Sequence, residues 1–118
     1  MIDKKEIKRK YKETIQPMGL FVIKNLKNSR IFLGKSKNLS GQLNSERFQL
    51  EAGKHMNEEL QQDFSAQGSD SFSFEVLDRL EPSDDPLYNY ESDLKELEAL
   101  WLEKLQPFPP NGYNKKKK

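Results

Sequence analysis

Two short apolar runs, Leu20-Phe21-Val22-Ile23 and Ile31-Phe32-Leu33, constrain this chain more than any other feature. Runs of three or four β-branched and aromatic residues build strands, and the polar residues 24–30 between them form a turn. The expected unit is a β-hairpin whose second strand closes at Gly34. An isolated hairpin is barely stable in water. The remaining chain must therefore add a strand and cover the hairpin with helices.

The later segments supply both. Residues 40–52 read as a helix ending at Gly53, with Leu43, Arg47 and Leu50 on one side, Phe48 on another, and Gly41 weakening its start. A further helix starts at the N-cap Asn57, carries Glu58 and Glu59 in its first turn, pairs Leu60 with Phe64 and stops at Gly68. Residues 71–80 alternate Phe72, Phe74 and Val76 on one face with Ser71, Ser73 and Glu75 on the other, as a half-buried strand does. The prolines and aspartates of residues 81–90 make a loop. A last helix covers residues 92–105, with Leu94, Leu97, Trp101 and Leu105 as its apolar stripe. Glu98 lies only about 40° around the helix from Leu94. A carboxylate beside an apolar stripe is expensive to bury alone, so Glu98 needs a cation, a metal or a hydrogen-bond donor.

Ahead of the hairpin, residues 3–15 also read as a helix. Asp3 and Glu6 form a capping box, Ile7, Tyr11 and Ile15 recur on one side, and Pro17 ends it. Its other face holds Lys4, Lys5, Lys8, Arg9, Lys10 and Lys12, and is either a solvated surface or a phosphate-contacting one. The expected organisation is a basic N-terminal helix over residues 1–17, a single domain over 18–114 and a disordered lysine tail over 115–118. The fold class is α+β: a small antiparallel three-stranded sheet flanked by helices.

Composition removes several chemistries. The 118 residues contain no cysteine, which excludes disulfides, thiolate nucleophiles and cysteine-ligated metal sites, and one histidine, His55, which excludes a site needing two imidazoles. No apolar run of about 18 residues and no apolar leader segment is present, so the expected setting is cytoplasmic, without membrane contact. The net charge of +1 conceals an asymmetry of +8 over residues 1–55, −12 over 56–103 and +5 over 104–118. Either the basic part meets nucleic acid, or the two signs neutralise each other across the fold. Gly34-Lys35-Ser36 ends like a phosphate-binding loop, but Ser29 stands where that loop needs its first glycine.

In order and spacing, a set of short motifs resembles the GIY-YIG nuclease superfamily, in its homing-endonuclease-like branch. Gly19-Leu20-Phe21 and Phe32-Leu33-Gly34 look like the two signature tripeptides, their rings eleven residues apart. Ser36-Lys37-Asn38-Leu39 resembles the entry to the family's first helix. Gly53-Lys54-His55, with Asn57 and Leu60-Gln61, resembles the stretch carrying a functional histidine. Glu98 with Trp101 resembles the metal-binding glutamate helix, and Gly112-Tyr113-Asn114 resembles the closing GYN. The resemblance implies hydrolysis of DNA phosphodiesters with Mg²⁺ or Mn²⁺ on Glu98, a tyrosine hydroxyl orienting the attacking water and an arginine neutralising the phosphate.

The departures from that pattern fall on the catalytic positions. Both signature tyrosines are phenylalanine here, Phe21 and Phe32, and the arginine position is Gln42. Phenylalanine has no hydroxyl and glutamine no charge. Arg47 either compensates for the lost arginine or makes a structural ion pair. His55 is either a base or phosphate contact, or a surface histidine. The site residues implied are thus Phe21, Phe32, Gln42, Arg47, His55, Glu98 and Asn114. Two functions follow from the resemblance: a weakened metal-dependent endonuclease, and an inactive nucleic-acid-binding or regulatory module on the same fold. A protein-interaction domain whose acidic middle meets a basic partner is a third. DNA is the expected partner of a monomer or weak dimer, and a protein partner is not specified by the sequence.

Overall fold

The computed structural model describes residues 16–85 and 87–115. The expected N-terminal helix and the last three lysines lie outside them. Strands β1 (Met18–Asn25) and β2 (Ile31–Ser36) form the hairpin, followed by helices α1 (Leu39–Glu51) and α2 (Glu58–Gln67). A 3₁₀ turn (Ser69–Ser71), strand β3 (Phe72–Leu80) and helix α3 (Glu91–Leu105) complete the domain. All strand pairs are antiparallel, in the order β2-β1-β3.

β1 is central because it is the most apolar strand: every residue of it except Lys24 is buried. A strand covered on both faces needs a continuous apolar run rather than alternation. On one face, Phe21 and Ile23 pack with Leu39 and Leu50 of α1, Leu60 and Phe64 of α2, Phe72 and Tyr113. On the other, Met18 packs with Tyr90 and Leu94, with Leu80 against them.

One local expectation changes. β2 does not close at Gly34 but runs through it to Ser36. Gly34 lies opposite Phe21, whose ring occupies the space a side chain would fill: an added Cβ would come within 2.7 Å of Phe21 Cε1. Gly41 stands in the first turn of α1, where Asn38 Oδ1 accepts from its N–H (3.1 Å) and the cap amide lies where a Cβ would stand. Val76 shares the face of Phe72 and Phe74, as the alternation implies. The register shifts between Leu20 and Phe21, so Val76 pairs with Phe21 while Leu20 pairs with Asp78. The bulge falls after Val76, at Leu77, and Val76, on an edge strand, is 38% exposed.

Beyond α3 the chain returns to the hairpin. Gly112 bridges Ile31 in parallel, Tyr113 N–H donates to Ile31 O (2.9 Å), and Asn114 both accepts from Leu33 N–H (2.9 Å) and donates to Leu33 O (2.8 Å). These bonds cover the outer edge of β2, which would otherwise present unpaired backbone. Tyr113 anchors the segment: its hydroxyl donates to Asp63 (2.6 Å) and accepts from the fully buried Asn25 amide (3.0 Å), and the Arg30 guanidinium lies 4.2 Å from its ring centre.

Burial, and then the hydrogen bond to Asp63, raises the Tyr113 phenol above its ordinary value. The folded state therefore holds this proton more tightly than the unfolded chain. The associated stability is present below about pH 10 and lost as the pH climbs through the folded value. Tyr113→Phe is expected to lose stability less steeply in alkali than the wild type, as read from urea midpoints over an alkaline pH series. Parallel slopes would contradict this.

The charge asymmetry is in part neutralised across the fold. Lys24 pairs with Glu75 (3.0 Å), Arg30 with Glu59 (2.5 Å), Lys35 with Glu98 (3.1 Å) and Lys37 with Glu91 (3.7 Å). Each joins the basic first half to the acidic second. The exposed pairs, Lys24–Glu75 and Lys37–Glu91, contribute about 0–1 kcal/mol each, so they orient side chains more than they hold the fold.

Candidate functional site

The face of the hairpin under α1 opens into a groove of about 420 Å³ lined by Phe32, Gln42, Glu46, His55, Asn57, Asn114 and Lys115. Strand alternation turns Phe21 and Phe32 to the same side, and their ring centres are 6.4 Å apart. His55 stands edge-on to Phe32 at 5.5 Å. It is not the surface histidine the sequence allowed, because its side chain is only 3% exposed.

Its environment also defines its protonation. His55 Nδ1 accepts from the backbone N–H of Asn57 (3.0 Å), and Nε2 faces Glu46 Oε2. An Nδ1 that accepts must be unprotonated, so the ring proton sits on Nε2 and is donated to the Glu46 carboxylate. The other carboxylate oxygen, Oε1, accepts from Gln42 Nε2 (2.9 Å). Glu46 is 7% exposed, and these two donors compensate the cost of burying it. Asn57 holds the ring in place: its side chain caps α2 through Leu60 N–H (3.0 Å) and donates to Tyr113 O (2.6 Å).

Glu98 belongs to the opposite face, beneath α3. Its side chain is 17% exposed, and Lys35 Nζ donates to Oε1 at 3.1 Å. The lysine partner that the sequence left open is thus present, and it engages one of the two carboxylate oxygens. Glu98 also lines a cavity of about 360 Å³ with Lys95, Ala99, Leu102, Phe108, Asn114 and Lys115. Trp101, one turn further along α3, anchors the helix to β3 through its indole N–H and Asp78 Oδ2 (2.9 Å). Asn114 and Lys115 line both cavities and so connect Glu98 with the Glu46–His55 groove across the edge of β2.

Of the residues singled out in the sequence, Phe32, Gln42, His55 and Asn114 share one groove, Phe21 lies behind Phe32, and Glu98 lines the adjoining cavity. Arg47 stands apart. Its guanidinium lies 4.7 Å from the Phe74 ring centre, in a separate cavity with Glu51, Ser69 and Asp70. The Asn114 amide is spent on Leu33 at both of its atoms. Four contributors escaped the sequence reading: Glu46, and the lysines 35, 95 and 115 near Glu98. Glu46 had a detectable signal, since it lies one helical turn after Gln42 on the same side of α1.

No family model matches the chain, and no curated protein matches its sequence. Solved structures do match its fold. The catalytic domain of homing endonuclease I-TevI superposes with a TM-score of 0.70 at 25% identity, over 85% of this chain and 99% of that one. A glutamate-to-alanine mutant of the catalytic domain of intron endonuclease I-TevI gives 0.68 at 27% identity, over 84% of this chain and 93% of that one. With its three-stranded antiparallel sheet, its flanking helices and the order of its elements, the chain has the GIY-YIG fold in the form carried by homing-endonuclease catalytic domains.

Proposed function

We propose that this chain is a metal-dependent DNA endonuclease of reduced activity. The observation that carries the reading is the position of Glu98, a largely buried carboxylate lining a cavity that shares Asn114 and Lys115 with the Glu46–His55 groove. Among the described residues no three metal-ligating side chains cluster. Glu98 offers a carboxylate oxygen beside its Lys35 bond to a hard cation such as Mg²⁺ or Mn²⁺, which takes one carboxylate and completes its shell with water and phosphate oxygens. Bound there, the ion would stabilise charge developing on the phosphate and the leaving oxygen. Lys35, Lys95 and Lys115 surround Glu98 with positive charge that attracts the DNA backbone. Asn114, held to β2 at both amide atoms, fixes the rim between the two cavities.

Slow turnover follows from the substitutions. Phe21 and Phe32 supply ring packing and no hydroxyl, and loss of acid–base assistance costs roughly 10²–10⁴ in rate. Gln42 carries no charge, and loss of a charge-stabilising arginine costs roughly 10³–10⁵ by analogy with phosphoryl transfer.

Incubation with supercoiled plasmid and Mg²⁺ or Mn²⁺ tests the reading. The expected result is slow conversion to the nicked circle, halted by chelation of the metal. DNA retention with a steep salt dependence, but no nicking under any metal, would replace the endonuclease with a binding module. Neither nicking nor retention would remove nucleic acid altogether.

A further inference from the structure

Glu46 is a buried carboxylate in the proposed catalytic groove for which the reading above gives no role. It sits on α1 and lines the groove whose wall includes Phe32. Gln42 donates to one oxygen and His55 to the other, so the group is held in place. Each oxygen of an ionised carboxylate has a second lone pair, which leaves Glu46 able to accept a proton. His55 lacks that capacity: one ring nitrogen accepts from Asn57 N–H, and the other is occupied by the proton it donates to Glu46. The rings of Phe21 and Phe32 have no hydroxyl to serve instead. The titratable and charged groups facing Glu46 are His55, from the connection between α1 and α2, and Lys115 across the groove. Gln42, Gln49, Asn57 and Asn114 are neutral.

We propose that Glu46 is the proton acceptor for the attacking water, with His55 and Gln42 as its positioning residues. This rests on the endonuclease reading. The water oxygen forms a bond to phosphorus while the ester bond to the leaving sugar oxygen breaks. The water's proton passes to the Glu46 carboxylate, and the leaving oxygen takes a proton from solvent. Glu46 then returns its proton to solvent. The carboxylate replaces in function the missing hydroxyls, and the immobile Nε2–H of His55 keeps it oriented through the cycle.

The test compares nicking rates of the wild type, Glu46→Gln, Glu46→Asp and Glu98→Ala from acid to alkaline pH, with melting temperature and DNA retention measured for each. The amide keeps the shape and removes the base. Glu46→Gln is expected to nick about 10²-fold more slowly or worse, to lose the fall in rate that the wild type shows toward acid, and to retain DNA normally. Glu46→Asp keeps a carboxylate, so it should recover part of the rate together with the acidic fall. It also carries the test if the amide variant fails to fold. A Glu46→Gln enzyme with unchanged rate and pH profile, beside an inactive Glu98→Ala, would overturn the proposal and leave the endonuclease reading standing. A uniform rate loss with an unchanged profile shape would overturn it too, marking Glu46 as structural. Absence of nicking by the wild type would remove both readings.

Discussion

Glu98→Ala is expected to abolish metal-dependent nicking while barely changing the stability of the fold. The two effects separate because the carboxylate does little for the packing of α3. Leu94 is buried in the core on that helix, and Trp101 bonds to Asp78, whereas Glu98 bonds to Lys35 near the surface. Losing a partly exposed ion pair costs about 0–1 kcal/mol, a shift of a few degrees in melting temperature at most. Losing the only candidate carboxylate ligand among the residues lining that cavity removes the charge stabilisation a metal provides. That stabilisation is worth several kcal/mol in the transition state, and about 1.4 kcal/mol is a factor of ten. The expected loss is therefore on the order of 10³-fold. Plasmid nicking in saturating Mn²⁺, beside a thermal melt, reads both quantities. A variant that still nicks at the parental rate would place the metal, or the chemistry, elsewhere in the molecule.

Tyr113→Ala is expected to cost about 3–5 kcal/mol, the range for removing a large buried aromatic side chain. The ring is 1% exposed within the principal core. Its hydroxyl satisfies the fully buried Asn25 amide and donates to Asp63, and both partners would lose that bond. An orphaned buried polar group adds about 1–3 kcal/mol. Against a total of about 5–15 kcal/mol for a domain, this is a large share. Urea unfolding followed by far-UV circular dichroism gives the value directly. A loss below about 1 kcal/mol would mean that the closing segment packs on a domain already complete without it.

The elements themselves were legible in the sequence because their causes are local. The apolar runs at residues 20–23 and 31–33 marked β1 and β2, Asn57 and Gly68 bounded α2, and the stripe from Leu94 to Trp101 defined the inward side of α3. The same periodicity placed Glu98 beside that stripe and called for a partner. The error was also local in origin. Gly34 as a strand end follows from propensity, which knows nothing of the Phe21 ring that fills the space beside it.

The arrangement of the site was less accessible. Arg47 and Gln42 share a helix, yet a side chain's neighbour across a groove depends on the rotation of that helix over the sheet. The packed Leu39, Leu43 and Leu50 set that rotation, and it sends Arg47 to Phe74 while it turns Glu46 to His55. Glu46 and His55 are nine residues apart, and only the turn after α1 brings their side chains together, while an Asn57 N–H decides which ring nitrogen carries the proton. Asn114 reaches Leu33 across eighty-one positions of sequence. What the sequence alone determined, then, is the set and order of strands and helices, because hydrogen-bonding period and capping act over a few residues. Packing decided the rest: the Glu46–His55 bond, the Lys35–Glu98 pair and the clamp at Asn114. Those contacts exist only after close packing has selected one rotation and one register for each element.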